Sequence, residues 1–281
     1  MRLAVSNIAW RPDERDQVHG LLADLGVRGL EIAPGLTFPH EPDPFRPSVM
    51  AISLFHKDLE RHGLAPVSMQ SLLFGVKDAV LFGNEGQRSA FVAGLERAID
   101  LAGRLGVPNL VMGSPTNRVV PDGMERSVAL AVARDVFRRL GDRCVQAGCK
   151  LALEPNPVAY STNFMTTIGE AADVAAVIDH PAVSVNFDLG SLHMNGEIEE
   201  AGVWYDRCDG RVSHVHVSEP NLAPAPKDVA RLAMIVQTLS NRGYVHWWSV
   251  EMRQAGGSNA ETVRGAMEAC IEALSGSEGR A

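Results

Sequence analysis

The sequence is short of several features that would assign it quickly. It has 4 cysteines in 281 residues, Cys144, Cys149, Cys208 and Cys270, and none show the spacing of a metal knuckle. That excludes a disulfide scaffold and fits free thiols in a reducing compartment. Positive charge is in deficit: 26 Lys and Arg against 34 Asp and Glu leave a formal net charge of −8. A surface built to neutralise phosphates is therefore not expected, and no nucleic-acid partner is. No apolar run is long enough to span a bilayer, and no basic, apolar leader precedes the strand-like Leu3 to Val5. The expectation is a soluble, cytoplasmic protein without a membrane partner. A glycine-rich dinucleotide fingerprint is also missing, since Asn7-Ile8-Ala9-Trp10 stands where it would follow the first strand.

What is present is a regular beat. Hydrophobic residues make up 46% and charged residues 21%, an ordinary globular balance. Eight β-rich segments recur: Leu3–Ile8, Gly29–Ala33, Pro66–Gln70, Asn109–Gly113, Lys150–Glu154, Val183–Asp188, Val212–Val217 and Trp247–Glu251. Helical periods fall between them, as in Pro12–Leu25, Glu85–Leu105 and Asp122–Ala147. Glycines at 26, 106 and 148 fit left-handed helix ends, with Gly63 and Gly243 in the same role. Strand-helix alternation calls for a parallel sheet covered by helices, and eight beats favour closure over an open sheet. The fold class is therefore α/β, a (β/α)8 TIM barrel in a single domain over residues 1–275, with 276–281 as a tail. Pro-rich pieces at Pro39–Pro47 and Pro220–Pro226 fall at or soon after the carboxyl ends of strands two and seven, where a barrel builds its site.

The ends of the last four strands carry the chemistry. Strand five ends in Glu154, strand six in Asp188 and strand eight in Glu251, while strand seven puts His214 and His216 on one face by its two-residue period. Two carboxylates about 5 Å apart repel by roughly 3 kcal/mol at an effective dielectric near 20. Three such pairs approach about 10 kcal/mol, comparable to the stability of a domain. A shared proton could offset this, but a divalent cation also accounts for the histidine. Oxygen-rich ligation with one imidazole suits Mn²⁺, with Mg²⁺, Co²⁺ and Zn²⁺ open.

The stretches Leu151-Ala-Leu-Glu154-Pro-Asn, Asn186-Phe-Asp188, His214-Val-His216-Val-Ser-Glu219 and Ser249-Val-Glu251 resemble the xylose isomerase-like TIM-barrel superfamily. The likeness is to its sugar phosphate isomerase/epimerase branch, which includes ketose 3-epimerases. It implies that Glu154, Asp188, His216 and Glu251 bind the metal, with His214 one layer deeper. Two positions depart from the epimerase pattern. His193 lies five residues after Asp188 instead of three, and Leu222 stands where an arginine is usual. Arg253, Arg118 and Lys227 are the candidates to replace it.

Such a site suits proton transfer through an enediolate, with Glu154 and Glu251 as the catalytic pair. The expected activity is that of a sugar or polyol isomerase/epimerase; expulsion of a β-hydroxyl would instead make it a lyase or dehydratase, and a non-catalytic sugar-binding barrel is the third reading. Candidate substrate contacts are His193, Glu31, Gln70, Arg253 and Trp10, Glu219 and Asn221 are expected to support His216, and residues 71–75 form a candidate lid. The partner expected is a small carbohydrate or polyol, with a homodimer or homotetramer as the assembly.

Overall fold

The structure is a computed structural model that describes residues 2–278, with side chains described through Ser275. Eight strands close into one parallel barrel in sequence order: β1 (Leu3–Ser6), β2 (Gly29–Ile32), β3 (Ala65–Met69), β4 (Asn109–Met112), β5 (Lys150–Leu153), β6 (Val183–Asp188), β7 (Val212–Ser218) and β8 (Trp247–Glu251). Among the described residues the α-helices are α1 (Arg15–Asp24), α2 (Pro34–Thr37), α3 (Val49–His62), α4 (Glu85–Leu105), α5 (Arg126–Ala147), α6 (Ile168–Ile178), α7 (Leu189–Met194), α8 (Ala201–Arg207), α9 (Val229–Ser240) and α10 (Asn259–Glu278). The expected single-domain TIM barrel is what forms.

Helix ends follow the local chemistry. Asn84 accepts from the Gln87 amide while the Gln87 side chain reaches back, a reciprocal cap that starts α4. Gly106 and Gly148 end α4 and α5 with φ of +70° and +74°, where a side chain would be strained. Several boundaries differ from the sequence reading; β1, for one, ends at Ser6 instead of Ile8, because Ser6 caps a 3-10 turn over Asn7–Ala9. Helix α5 starts at Arg126 instead of Asp122, because Asp122-Gly123 forms a turn with Gly123 at φ +82°. Helix α10 continues through Glu278 where a tail was expected, and residues 279–281 lie outside the described residues.

Side chains from the inner faces of the helices and the outer faces of the strands form the main apolar core. The barrel interior is more polar. Ser68, Asn109, Ser184 and Ser213 form a hydrogen-bonded chain across it, with Asn109 Nδ2 donating to Ser68 Oγ (3.2 Å) and Ser213 Oγ to Asn109 Oδ1 (2.8 Å). At the amino-terminal end, Gly29 leaves room for Trp247, whose ring would lie 2.7 Å from any Cβ placed there. The ladder is irregular in two places. Glu31 pairs with Ser68 after Leu30 pairs with Pro66, and Asn186 pairs with His214 after Val185 pairs with Val212. Val67 and Ser213 are thus single-residue bulges.

All four cysteines are buried and free. Among the described residues no helix is long and apolar enough to cross a membrane.

Candidate metal centre

Glu154, Asp188, His216 and Glu251 converge at the carboxyl ends of β5 to β8, each offering one atom within 4.8 Å of the others. His216 Nδ1 lies 3.0 Å from Glu154 Oε1, 3.2 Å from Glu251 Oε2 and 3.7 Å from Asp188 Oδ2. The ring is fully buried, and its Nδ1 has no hydrogen bond of acceptable geometry despite those three oxygens. A nitrogen ringed by acceptors yet aligned with none suits a shared cation better than any single N–H···O bond. The donor set, three carboxylates and one imidazole, fits a divalent ion such as Mn²⁺.

The supports of the acids differ. Glu154 Oε1 accepts from Asn186 Nδ2 (2.8 Å), and Oε2 accepts from Asn156 Nδ2 (3.1 Å). A Cβ at Gly113 would sit 2.4 Å from Glu154 Oε2, so the glycine makes room for the carboxylate. Asp188 accepts from Ser218 Oγ (2.6 Å) and from the Ser191 backbone amide. Glu251 has no such amide or hydroxyl donor among the described residues.

Electrostatics follow from this crowding. Burial, aided by the charges of Glu154 and Glu251, raises the Asp188 carboxyl to about 7. Burial also raises Glu251, with repulsion from Glu154 and Glu31 overcoming the pull of His216. Glu154 ends below its ordinary value: burial opposes this, but His216 and Asn156 outweigh it. His216 is held well above the ordinary histidine range, since Glu31, Glu251 and Glu154 overcome its burial. Without a metal, a proton on His216 supplies the positive charge that a cation would otherwise bring.

The other candidates fall in several places. Glu31 is fully buried beneath the cluster, bonded to His214 and His216. Gln70 is also buried, donating to Glu31 Oε1 (2.8 Å) and Ser6 Oγ (2.7 Å). Trp10 is 2% exposed and packs edge-on against His19. His193 is half exposed, with Nδ1 3.7 Å from Glu219 Oε2, and lines a side cavity with Lys227 and Arg231. Arg118 is not a free cation at the rim. It is fully buried and donates to the carbonyls of Gly113, Glu154, Phe164 and Met165 and to Asn156 Oδ1. The segment 71–75 packs through Leu72 and Leu73 and exposes Phe74.

Tyr160, absent from the sequence candidates, closes one side of the rim. Its hydroxyl accepts from the Asn221 amide (3.1 Å). Burial and the charges of Asp188 and Glu251 push its phenol up, against the Asn221 amide and Arg253. Arg253 is exposed, and its backbone amide donates to Leu222 O (2.9 Å). The loops after β5, β7 and β8 are thereby stitched together, with Asn221 and Leu222 both left-handed at φ 61° and 55°.

A family model described as xylose isomerase-like TIM barrel matches residues 20–273. The chain belongs to that family. No curated protein matches the sequence. Solved structures similar to this xylose isomerase-like barrel include an L-ribulose 3-epimerase, at TM-score 0.78 and 14% identity over 99% of this chain and 95% of the other. D-psicose 3-epimerase from Clostridium cellulolyticum H10, solved with D-tagatose, has a TM-score of 0.76 and 16% identity, covering 99% of this chain and 98% of its own. A 3-keto-D-glucoside 4-epimerase from E. coli has a TM-score of 0.75 and 16% identity, covering 98% and 99%.

Proposed function

We propose that this barrel is a metal-dependent sugar or polyol isomerase or epimerase, with Glu154, Asp188, His216 and Glu251 holding one divalent ion, Mn²⁺ by its ligand chemistry. The observation that carries the reading is the placement of Glu154 and Glu251 on two sides of His216 Nδ1, at 3.0 and 3.2 Å. The bound ion would polarise a substrate carbonyl and acidify the neighbouring C–H. Glu154, kept ionised by His216 and Asn156, is placed to take that proton. Glu251, without an amide donor among the described residues, is placed to return one from another direction. Return to the opposite face gives epimerisation; return to the adjacent carbon gives isomerisation.

The names of the structural neighbours, epimerases of ketoses and of a ketoglucoside, support a carbohydrate substrate. The rim argues for a substrate other than theirs. Leu222 occupies the usual arginine position, and Arg118 is committed to backbone carbonyls. Elemental analysis of purified protein, followed by keto-sugars and inososes in deuterated water, tests the reading. The expected result is one ion per chain and a product that carries solvent deuterium without losing water. A chain that binds no Mn²⁺, or turnover with loss of water, would refute it.

A further inference from the structure

Glu31 is an acid with no access to substrate and no place among the four ligands, yet it sits at the centre of a buried network. Its Oε2 lies 3.0 Å from His214 Nε2 and 3.1 Å from His216 Nε2, with the two rings edge to face. Its Oε1 accepts from Gln70 Nε2, which also donates to Ser6 Oγ. Ser6, Glu31, His214 and His216 are at most 1% exposed.

We infer that Glu31 is the positioning residue that selects the tautomer of His216 and so makes the metal site. The inference rests on the metal-centre reading above. A carboxylate oxygen only accepts, so both imidazoles must present a protonated Nε2 to it. In a neutral ring that leaves Nδ1 bare, and for His216 this is the nitrogen surrounded by Glu154, Glu251 and Asp188. One oxygen serves both rings, so neither can turn without disturbing the other's bond. Gln70 presents an N–H to the second oxygen and keeps the carboxylate in one orientation. A purely structural role would not call for a buried charge, because glutamine fills nearly the same volume without its desolvation cost.

The same three residues, Glu31, His214 and His216, could in geometry hold an ion of their own. The hydrogen-bonding reading is favoured because Oε1 is taken by the Gln70 amide, and the contacts to both imidazoles have ordinary N–H···O lengths.

The test is Mn²⁺ binding to the full chain by calorimetry, with ¹⁵N shifts of the histidine rings in zinc-loaded protein. Wild type should bind one ion, with His216 protonated at Nε2. Glu31→Gln should bind it about 10- to 100-fold more weakly and show a mixed His216 tautomer. Gln70→Leu, which leaves the charge in place but frees it to turn, should weaken binding by less than Glu31→Gln does; it decides the matter if Glu31→Gln does not fold. Wild-type binding of one ion with unchanged affinity and tautomer in the folded variants would overturn the role of Glu31 alone. Two ions per wild-type chain would overturn it in favour of a second site. No ion in wild type would remove the metal centre itself, and this inference with it.

Discussion

Strands β1 to β4 satisfy their buried polar groups more completely than strands β5 to β8 do. In the first half Ser6, Glu31, Ser68, Gln70 and Asn109 each bond to a neighbour. In the second half Asn186 Oδ1, His216 Nδ1 and Ser249 Oγ are buried without a hydrogen-bond partner. Among the described residues no barrel strand of the first half has such an atom. Unmet polar atoms and mutually repelling acids cost stability and persist where function requires them. On the function proposed above, the second half is the reacting side and the first half its brace.

The sharpest way to break that contrast is Glu251→Gln. Removing one repelling acid should cost about a thousandfold in solvent hydrogen exchange into substrate, while the metal-free protein melts at a higher temperature. Exchange within tenfold of wild type would mean that the reacting side lies elsewhere.

Gly113→Ala tests whether the residue after β4 shapes the other half. Its new Cβ would press on Glu154 Oε2, so Mn²⁺ should bind about tenfold more weakly. Unchanged affinity in calorimetry would separate the two halves more completely than the hydrogen bonds suggest.

The smallest effect concerns a histidine outside the site. Burial lowers His19 from 6.5 to about 4 despite its bond to Asp58. The unfolded chain takes up this proton first, so the stabilising contribution is full above pH 6.5 and is lost as pH falls towards 4. Up to about 3 kcal/mol is at stake. The difference in unfolding free energy between wild type and His19→Gln should therefore change across that window; a constant difference would refute the assignment.

Much of this was legible in the sequence. Strand-helix alternation is a local signal, and the four ligand residues stand at strand ends where the barrel must bring them together. The role of Glu31 was not legible, because it depends on a contact with His214 and His216 more than 180 residues away. Asn186 could have been found from Ser184-Asn186-Asp188, three polar residues at alternate positions of an otherwise apolar strand. Tyr160 carried no such signal, since its loop has no period. Arg118 stood among the candidates to replace the missing arginine because nothing local reveals the carbonyls that enclose it.

The two bulges bear on how freely this chain can change length. Were β7 paired continuously from Val212, His214 would stand beside Phe187 instead of Asn186, and both imidazoles would turn out towards the helices. Were β3 paired continuously from Pro66, Ser68 would stand beside Ile32, and Ser68 and Gln70 would leave the interior in the same way. Loops on the rim can gain or lose residues and alter what is recognised. A one-residue slip of register at either of these two positions would instead take the imidazoles, or the amide that steadies their carboxylate, out of the cylinder.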